Sequence, residues 1–266
     1  MTHSCPKSLS LRAGLGAFAI GLLLLAADGQ AQAMLDPTNY QKIVSADISR
    51  SATAVDDLVR RLEAGDLAGA KQAYVAARVG WERSESAVEE SFPPQAALID
   101  PWPNPTQGFH AVEAALFGQN DAAAALPAAR KLQSNLAALR QTLQSASLAP
   151  QALLNGMAKV ASELATAKSN GEESRLSNTA IYDLQHSYDG LRTLYAAVFA
   201  KPLAAADPAR AQQLTAQIQR LGRVLHHDNV PAIDKAALKT EADALVRLLA
   251  DAAPALGLQP PMTSTF

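Results

Sequence analysis

Apolar residues recur every three or four positions along most of the chain, which is the spacing of one face of an α-helix. The clearest runs are Leu153, Met157, Val160 and Leu164, and Leu214, Ile218, Leu221 and Leu225. We find no segment with the alternation of apolar and polar residues, bounded by turns, that is typical of a strand. The pattern therefore predicts an all-α fold.

Capping and helix-breaking residues divide this pattern into eight predicted helices, over 36–64, 67–91, 107–117, 127–146, 150–169, 176–199, 208–228 and 235–252. Asp36-Pro37 opens the first helix and Gly65 ends it. Five prolines within 92–106 predict a stiff, irregular connection there. The mostly short links favour two packed antiparallel four-helix bundles, one in 34–147 and the other in 148–256.

The first 33 residues have the features of a secretory signal peptide. Lys7 and Arg12 precede an uncharged apolar run over 13–27, and Ala31-Gln32-Ala33 follows as a small-x-small cleavage site. The run is shorter than the roughly 20 residues that a membrane span needs, although an uncleaved anchor is the alternative. We therefore expect cleavage after Ala33 and a periplasmic protein, with no membrane span in the mature chain, 34–266.

Composition excludes several classes of protein. The chain is 48% hydrophobic and has a formal net charge of −2, so it is neither disordered nor suited to neutralising nucleic acid. Its single cysteine, Cys5, lies inside the predicted signal peptide. The mature chain therefore has no disulfide framework, cysteine-ligated zinc site or cysteine nucleophile.

The second predicted helix carries three carboxylates on one stripe. Glu82, Glu85 and Glu89 are three and four residues apart, and Arg78 lies one turn earlier. Taken alone, such a stripe is most typical of a solvated acidic face.

The short helix over 107–117 carries a stronger candidate for metal binding. His110 and Glu113 leave the same face, and apolar neighbours draw both side chains towards a buried setting. A hydrogen-bonded His–Glu pair in the core is the alternative. If the proline-rich connection also brings Asp100 close, carboxylates and one imidazole would suit iron, manganese, zinc or copper(II).

Other motifs add little to this picture. The zinc-protease patterns, the nucleophile elbow and phosphate-binding loops are absent, so we assign no catalytic residue. His226-His227 lies at a predicted helix end, where a dipole interaction competes with a second metal site as the explanation. His186 is interpreted as a polar position within a bundle.

Several segments resemble the imelysin-like superfamily, and its EfeO/EfeM branch of periplasmic iron-uptake proteins in particular. They are ARVGWERSE at 77–85, GFHAVEAAL at 108–116 and NGEESRLSNT at 170–179, with shorter matches at Ile99-Asp100 and Asp183-Leu184-Gln185. These matches form two blocks, one over 77–116 and the other over 170–185. The blocks occur in order about 60 residues apart and span most of the mature chain. Together they are far more specific than either motif alone.

The resemblance implies two four-helix bundles and a metal site near the G-x-H-x-x-E helix. By position, the family's metal ligands match Glu82, Glu85, Asp100, His110 and Glu113, with support from Gly108, Trp81, Arg78 and Glu89. The chain has no room for the cupredoxin-like domain of longer EfeO members, so it resembles the shorter EfeM type.

We therefore expect an exported protein that binds a metal ion, iron before zinc, manganese or copper(II), and serves cation uptake. Its partner would be a membrane iron permease or another component of the uptake system. The first alternative is a metallopeptidase, because the family carries a peptidase label from imelysin. The second is a periplasmic module that binds an anionic polymer or a partner protein.

Overall fold

The structure is a computed structural model that describes residues 1–3, 35–101, 106–171 and 174–261. The predicted signal peptide and its cleavage site lie outside these residues. The described part of the chain is helical and contains no strand, so the all-α prediction is confirmed. None of its helices has the length and apolar character needed to cross a membrane.

Ten α-helices are present in the described residues. They are α1 (Thr38–Glu63), α2 (Leu67–Ser91), α3 (Pro93–Ile99), α4 (Gly108–Glu113), α5 (Ala122–Ser145), α6 (Pro150–Ala165), α7 (Ala180–Leu194), α8 (Ala200–Ala206), α9 (Pro208–Leu225) and α10 (Lys235–Ala252). Both α4 and α7 continue into a π-helical turn, over Ala114–Gln119 and Tyr195–Phe199 respectively. A short 3-10 helix, Lys168–Asn170, follows α6.

The long helices begin and end where local sequence signals favour it. Asp66 caps α2 by accepting a hydrogen bond from the backbone N–H of Gly69, and Asp207 and Asp234 cap α9 and α10 in the same way. Asp121 caps α5, which therefore begins at Ala122, five residues before the predicted start, and Pro127 lies inside the helix. A capping aspartate thus outweighs a proline near the first turn.

The proline-rich connection is partly helical, which corrects the prediction that all of 92–106 is irregular. Pro93 and Pro94 occupy the first two positions of α3. A proline has no N–H to donate, and the first turn of a helix leaves its N–H groups without partners inside the helix. The prolines that were expected to end one helix therefore also begin the next.

The helix α2 is central to the packing. It contacts α1 on one side and both α6 and α7 on the other, while α5 packs on α1, and α9 and α10 pack together. Two glycines allow the closest approaches. A Cβ at Gly80 would overlap the carbonyl oxygen of Asp47 in α1, and a Cβ at Gly156 of α6 would overlap that of Ser86 in α2. The division into two four-helix bundles stays a prediction.

Candidate metal centre

The short helix α4 is fixed against α2 by a glycine and by aromatic packing. Gly108 begins α4 with φ +63°, and a Cβ there would overlap the carbonyl oxygen of Ile99, so the position requires glycine. The ring of Phe109 packs on Tyr74 at 5.9 Å and on Trp81 at 6.3 Å between centroids, and all three side chains are buried. This packing places His110 and Glu113 beside the middle of α2.

Arg78 lies at the centre of a buried polar network. Its guanidinium forms ion pairs with Glu82 and, at 2.7 Å, with Asp100, and it lies 3.2 Å from Asp183 of α7. The same group stacks over the Phe109 ring at 5.1 Å from its centroid. A planar guanidinium can hold several carboxylates in fixed directions, so Arg78 joins three elements at one point.

Asp100 and His110 are in direct contact. Oδ1 of Asp100 lies 3.1 Å from Nε2 of His110, and both side chains are buried. Asp100 is the residue that ends α3, and its backbone N–H bonds to the carbonyl of Ala96. The proline-rich connection therefore does bring this carboxylate to the histidine.

Lys168 joins two further predicted ligands, Glu82 and Glu85. Its Nζ lies 3.0 Å from Oε2 of Glu82 and 3.0 Å from Oε1 of Glu85. The hydroxyl of Ser187 donates to Glu82 and lies 3.4 Å from Glu85. All of these side chains are buried, so an ammonium group lies where two acids face each other.

Glu113 reaches the network through hydroxyl groups. One of its oxygens accepts hydrogen bonds from the backbone N–H of Ser177 at 2.8 Å and from its hydroxyl at 2.6 Å. The Ser177 hydroxyl lies 3.0 Å from that of Thr179, which donates to Asp183 at 3.4 Å. Ser174 also donates to Asp183. The turn before α7 therefore connects Glu113 to Asp183.

These contacts define the buried polar network, whose members are Arg78, Glu82, Glu85, Asp100, His110, Glu113, Lys168 and Asp183. It contains five carboxylates and two permanently basic side chains, all nearly inaccessible to solvent. Ionised carboxylates that outnumber their counter-charges in a buried site take up protons or bind a cation.

The pKa shifts show how this imbalance is distributed. Burial raises the pKa of Glu82, but Lys168 and Arg78 outweigh that effect and lower it to about 2. Burial raises the pKa of Glu85 well above its usual range, despite Lys168. Burial also raises the pKa of Asp183 to about 6. The protons that the network keeps in this way are those that a bound cation would displace.

A second acidic group adjoins the network. Among the described residues, Glu85, Glu89 and Glu163 each offer a carboxylate oxygen within 4.8 Å of the others. Lys159 lies 3.0 Å from Glu89 and 3.8 Å from Glu163. Glu85 is therefore shared between this group and the buried polar network.

The predicted ligands are thus all buried, but two basic side chains, Arg78 and Lys168, lie among them. Burial of Glu82 and Glu85 shows that the solvated acidic face expected from the stripe alone was wrong. Of the predicted ligands, Asp100 and His110 touch, whereas Glu82 and Glu85 are joined through Lys168. The supporting residues Gly108, Trp81, Arg78 and Glu89 all lie in or beside the network.

Sequence reasoning missed Lys168, Asp183, Ser177 and Glu163. The first three lie within or beside the segments at 170–179 and 183–185, which matched the family but received no role. Because Lys168 is 86 residues from Glu82 along the chain, no local spacing connects the two. For Lys168, Ser177 and Asp183, the only signal in the sequence is that they lie in or beside segments that match the family.

The remaining histidines lie apart from this arrangement. His226 is the exposed residue that caps the C-terminal end of α9, as expected for a helix-end role. His186 is half-buried on α7, and burial lowers its pKa.

Fold and site together define a class: an all-α protein with a carboxylate-rich polar network buried between its helices. The sequence model described as imelysin, of the peptidase M75 family, matches residues 38–104 and 89–256, and the chain belongs to this family. The family was therefore identified correctly from the sequence.

Named relatives agree with this assignment. The iron uptake system component EfeM of Pseudomonas syringae is 29% identical over 195 residues, which cover 70% of this chain and 68% of that protein. The component EfeO of Escherichia coli K12 is 27% identical over 240 residues, which cover 83% of this chain and 64% of that protein. The chain thus spans about two thirds of the length of these relatives.

A solved structure supports the fold. The crystal structure described as an iron-regulated protein A precursor from Parabacteroides distasonis superposes with a TM-score of 0.61 at 14% identity. The superposition covers 88% of this chain and 94% of that one. At this identity the similarity establishes the shared fold.

Proposed function

We propose that this protein is a metal-binding component of an iron uptake system and that it holds its cargo ion in the buried polar network. The role in iron uptake rests on the similarity to EfeM and EfeO. The ligands proposed are Glu82, Glu85, Asp100, His110 and Glu113. Export to the periplasm rests on the signal-peptide pattern at 1–33. An uptake-system partner rests on the names of the relatives, and a membrane permease as that partner rests on the sequence resemblance alone.

The single observation that carries the proposal is the charge of the network. Five buried carboxylates share only two cationic side chains, Arg78 and Lys168, so the site has an excess of acidic groups whose negative charge or protons a further cation would neutralise or displace. Carboxylate oxygens and an imidazole nitrogen are donors that iron and manganese accept readily.

Unpartnered polar atoms give independent support. The hydroxyl of Tyr74, the indole nitrogen of Trp81 and Nε of Arg78 are buried and have no hydrogen-bond partner among the described residues. Tyr74 is close enough to Arg78, Glu113 and Asp183 for their charges to act on its pKa, which burial raises well above its usual range. Buried polar atoms without partners are rare, and these three belong to residues that pack beside the proposed ligands.

Metal-dependent stabilisation tests the proposal. The mature protein is treated with a chelator, and its melting temperature is followed on titration with Fe(III), Mn(II), Zn(II) and Cu(II). A ligand that binds only the folded state raises the melting temperature, and an excess of about 100 Kd adds roughly 2.7 kcal/mol of stability. We expect such a rise for at least one of these ions.

Two variants and a control locate the binding. His110→Ala and Glu113→Gln should reduce the metal-induced rise, whereas His226→Ala, at an exposed helix end, should leave it unchanged. An equal rise in wild type and in both site variants would reject this ligand set. No rise with any of the ions would reject the function.

A further inference from the structure

Lys168 holds a position that a bound metal ion would need. Among the described residues, its Nζ lies 3.0 Å from a carboxylate oxygen of Glu82 and 3.0 Å from one of Glu85, and its side chain is only 2% exposed. We infer that Lys168 is a tethered counter-cation: its ammonium group neutralises Glu82 and Glu85 in the metal-free protein and leaves them when the ion binds. The inference rests on the proposed function, because it takes these two acids as ligands.

Electrostatics makes the ammonium group and the ion mutually exclusive. An ion bound to Oε2 of Glu82 and Oε1 of Glu85 would lie within a few ångströms of Nζ if Lys168 stayed in place. Two positive charges at that separation repel strongly in a buried site, where water screens them poorly. Movement of the ammonium group removes this repulsion and frees the two oxygens that it occupies.

Arg78 does not offer the same freedom. It lies on the long buried helix α2, is bound to three carboxylates, and stacks on Phe109. Its planar guanidinium is fixed by these contacts, whereas a lysine ammonium group is a point charge on a flexible stem. The two basic residues therefore have different roles, with Arg78 as a permanent part of the network and Lys168 as the exchangeable cation.

The segment that carries Lys168 is short and ends at the protein surface, where Asn170 is exposed. Lys168 lies on the three-residue 3-10 helix that follows α6, and Gly171, which ends this helix, has φ +70°. The same segment borders a surface cavity of about 480 Å³, to which Asn170, Gly171 and Ser174 contribute. Lys168 itself does not line this cavity, so its displaced side chain would have to turn towards Asn170 and Gly171 to reach solvent.

Metal affinity is the first test. Mn(II) and Zn(II) are titrated calorimetrically into chelator-treated wild type and Lys168→Met. Because the ion no longer competes with an ammonium group, we expect the variant to bind about tenfold more tightly or better. Its metal-free form should melt at a lower temperature, because two buried acids lose their counter-charge.

Lys159→Met is the matched control. Lys159 also pairs with a glutamate, Glu89 at 3.0 Å, but lies outside the buried polar network. Its removal should change the affinity little. A gain in Lys159→Met without one in Lys168→Met would overturn the inference, and so would unchanged or weaker binding in Lys168→Met.

Accessibility of the amine in wild type is the second test, and it does not depend on whether the variant folds. The protein is acetylated briefly with an N-hydroxysuccinimide ester, with and without saturating Zn(II), and peptides are analysed by mass spectrometry. Lys168 should be protected without metal and modified with it. Lys239, whose side chain is 63% exposed, should react in both states. Protection of Lys168 in both states would overturn the inference.

The outcomes separate the two proposals. If wild type binds metal and His110→Ala does not, but Lys168→Met binds as wild type does, the metal site stands and the role of Lys168 fails. If neither wild type nor Lys168→Met binds any of the ions, both proposals fail.

Discussion

Nε2 of His110 lies 3.1 Å from Oδ1 of Asp100, and this contact links the first turn of α4 to the residue that ends α3. The other oxygen of Asp100 lies 2.7 Å from the guanidinium of Arg78. One buried carboxylate therefore orients both the histidine and the central arginine. Asp100 therefore connects the proposed histidine ligand to the rest of the buried polar network.

Asp100→Asn should destabilise the metal-free protein by about 1–3 kcal/mol, because it replaces the buried charged partner of Arg78 and His110 by a neutral amide. Urea unfolding at pH 7 with a chelator present measures the change. Asp243→Asn, which breaks an exposed pair with Lys239, should have a far smaller effect. Equal losses in the two variants would show that the Asp100 pair contributes no more than a surface pair.

Asp183→Asn should gain stability relative to wild type as pH rises. Burial raises the pKa of Asp183 from 3.8 to about 6, so the folded state holds a proton that the unfolded state has lost. The stability that this proton gives to the folded state is fully present below pH 3.8 and is lost as pH rises through 6. The stability of the variant relative to wild type should therefore increase by about 3 kcal/mol between pH 4 and pH 7. Urea unfolding of both proteins across this pH range measures the difference. A difference in the free energy of unfolding that does not change with pH would contradict the prediction.

Glu82→Gln should show the opposite dependence. Lys168 and Arg78 outweigh the effect of burial and lower the pKa of Glu82 from 4.5 to about 2. Its ionised form therefore stabilises the protein above pH 4.5, and this contribution is lost as pH falls through 2. The variant should be about 3 kcal/mol less stable at pH 7, with a smaller deficit at pH 3. The free energies of unfolding of wild type and variant are measured at both pH values. If the variant is as much less stable at pH 3 as at pH 7, the prediction is wrong.

Gly156→Ala should lower the melting temperature, although alanine favours a helix by about 1 kcal/mol over glycine. The added Cβ would overlap the backbone carbonyl of Ser86 on α2, and overpacking of this kind costs about 1–3 kcal/mol or more. Gly118→Ala is the control, because its Cβ would meet only the exposed side chain of Leu176 at 3.3 Å. Calorimetric melting of both variants tests the close approach of α6 to α2.

Local sequence signals determined the helices. The bounds of α2 and α10 agree with prediction because a capping aspartate and a uniform apolar stripe act within a few residues of each other. The prediction was wrong where two local rules compete. Pro93 and Pro94 can end one helix or begin the next, and the neighbouring residues do not decide between these outcomes.

The sequence by itself also determined the family, and it predicted four of the five acids of the buried polar network, because Glu82, Glu85, Asp100 and Glu113 lie in segments that match the family. Only the tertiary structure decided what surrounds them. The stripe of Glu82 and Glu85 resembles a solvated face until α7 and the segment after α6 cover it and supply Ser187 and Lys168. The charge balance of a buried site depends on residues that approach from elsewhere in the chain, and the spacing of residues along one helix carries no information about them.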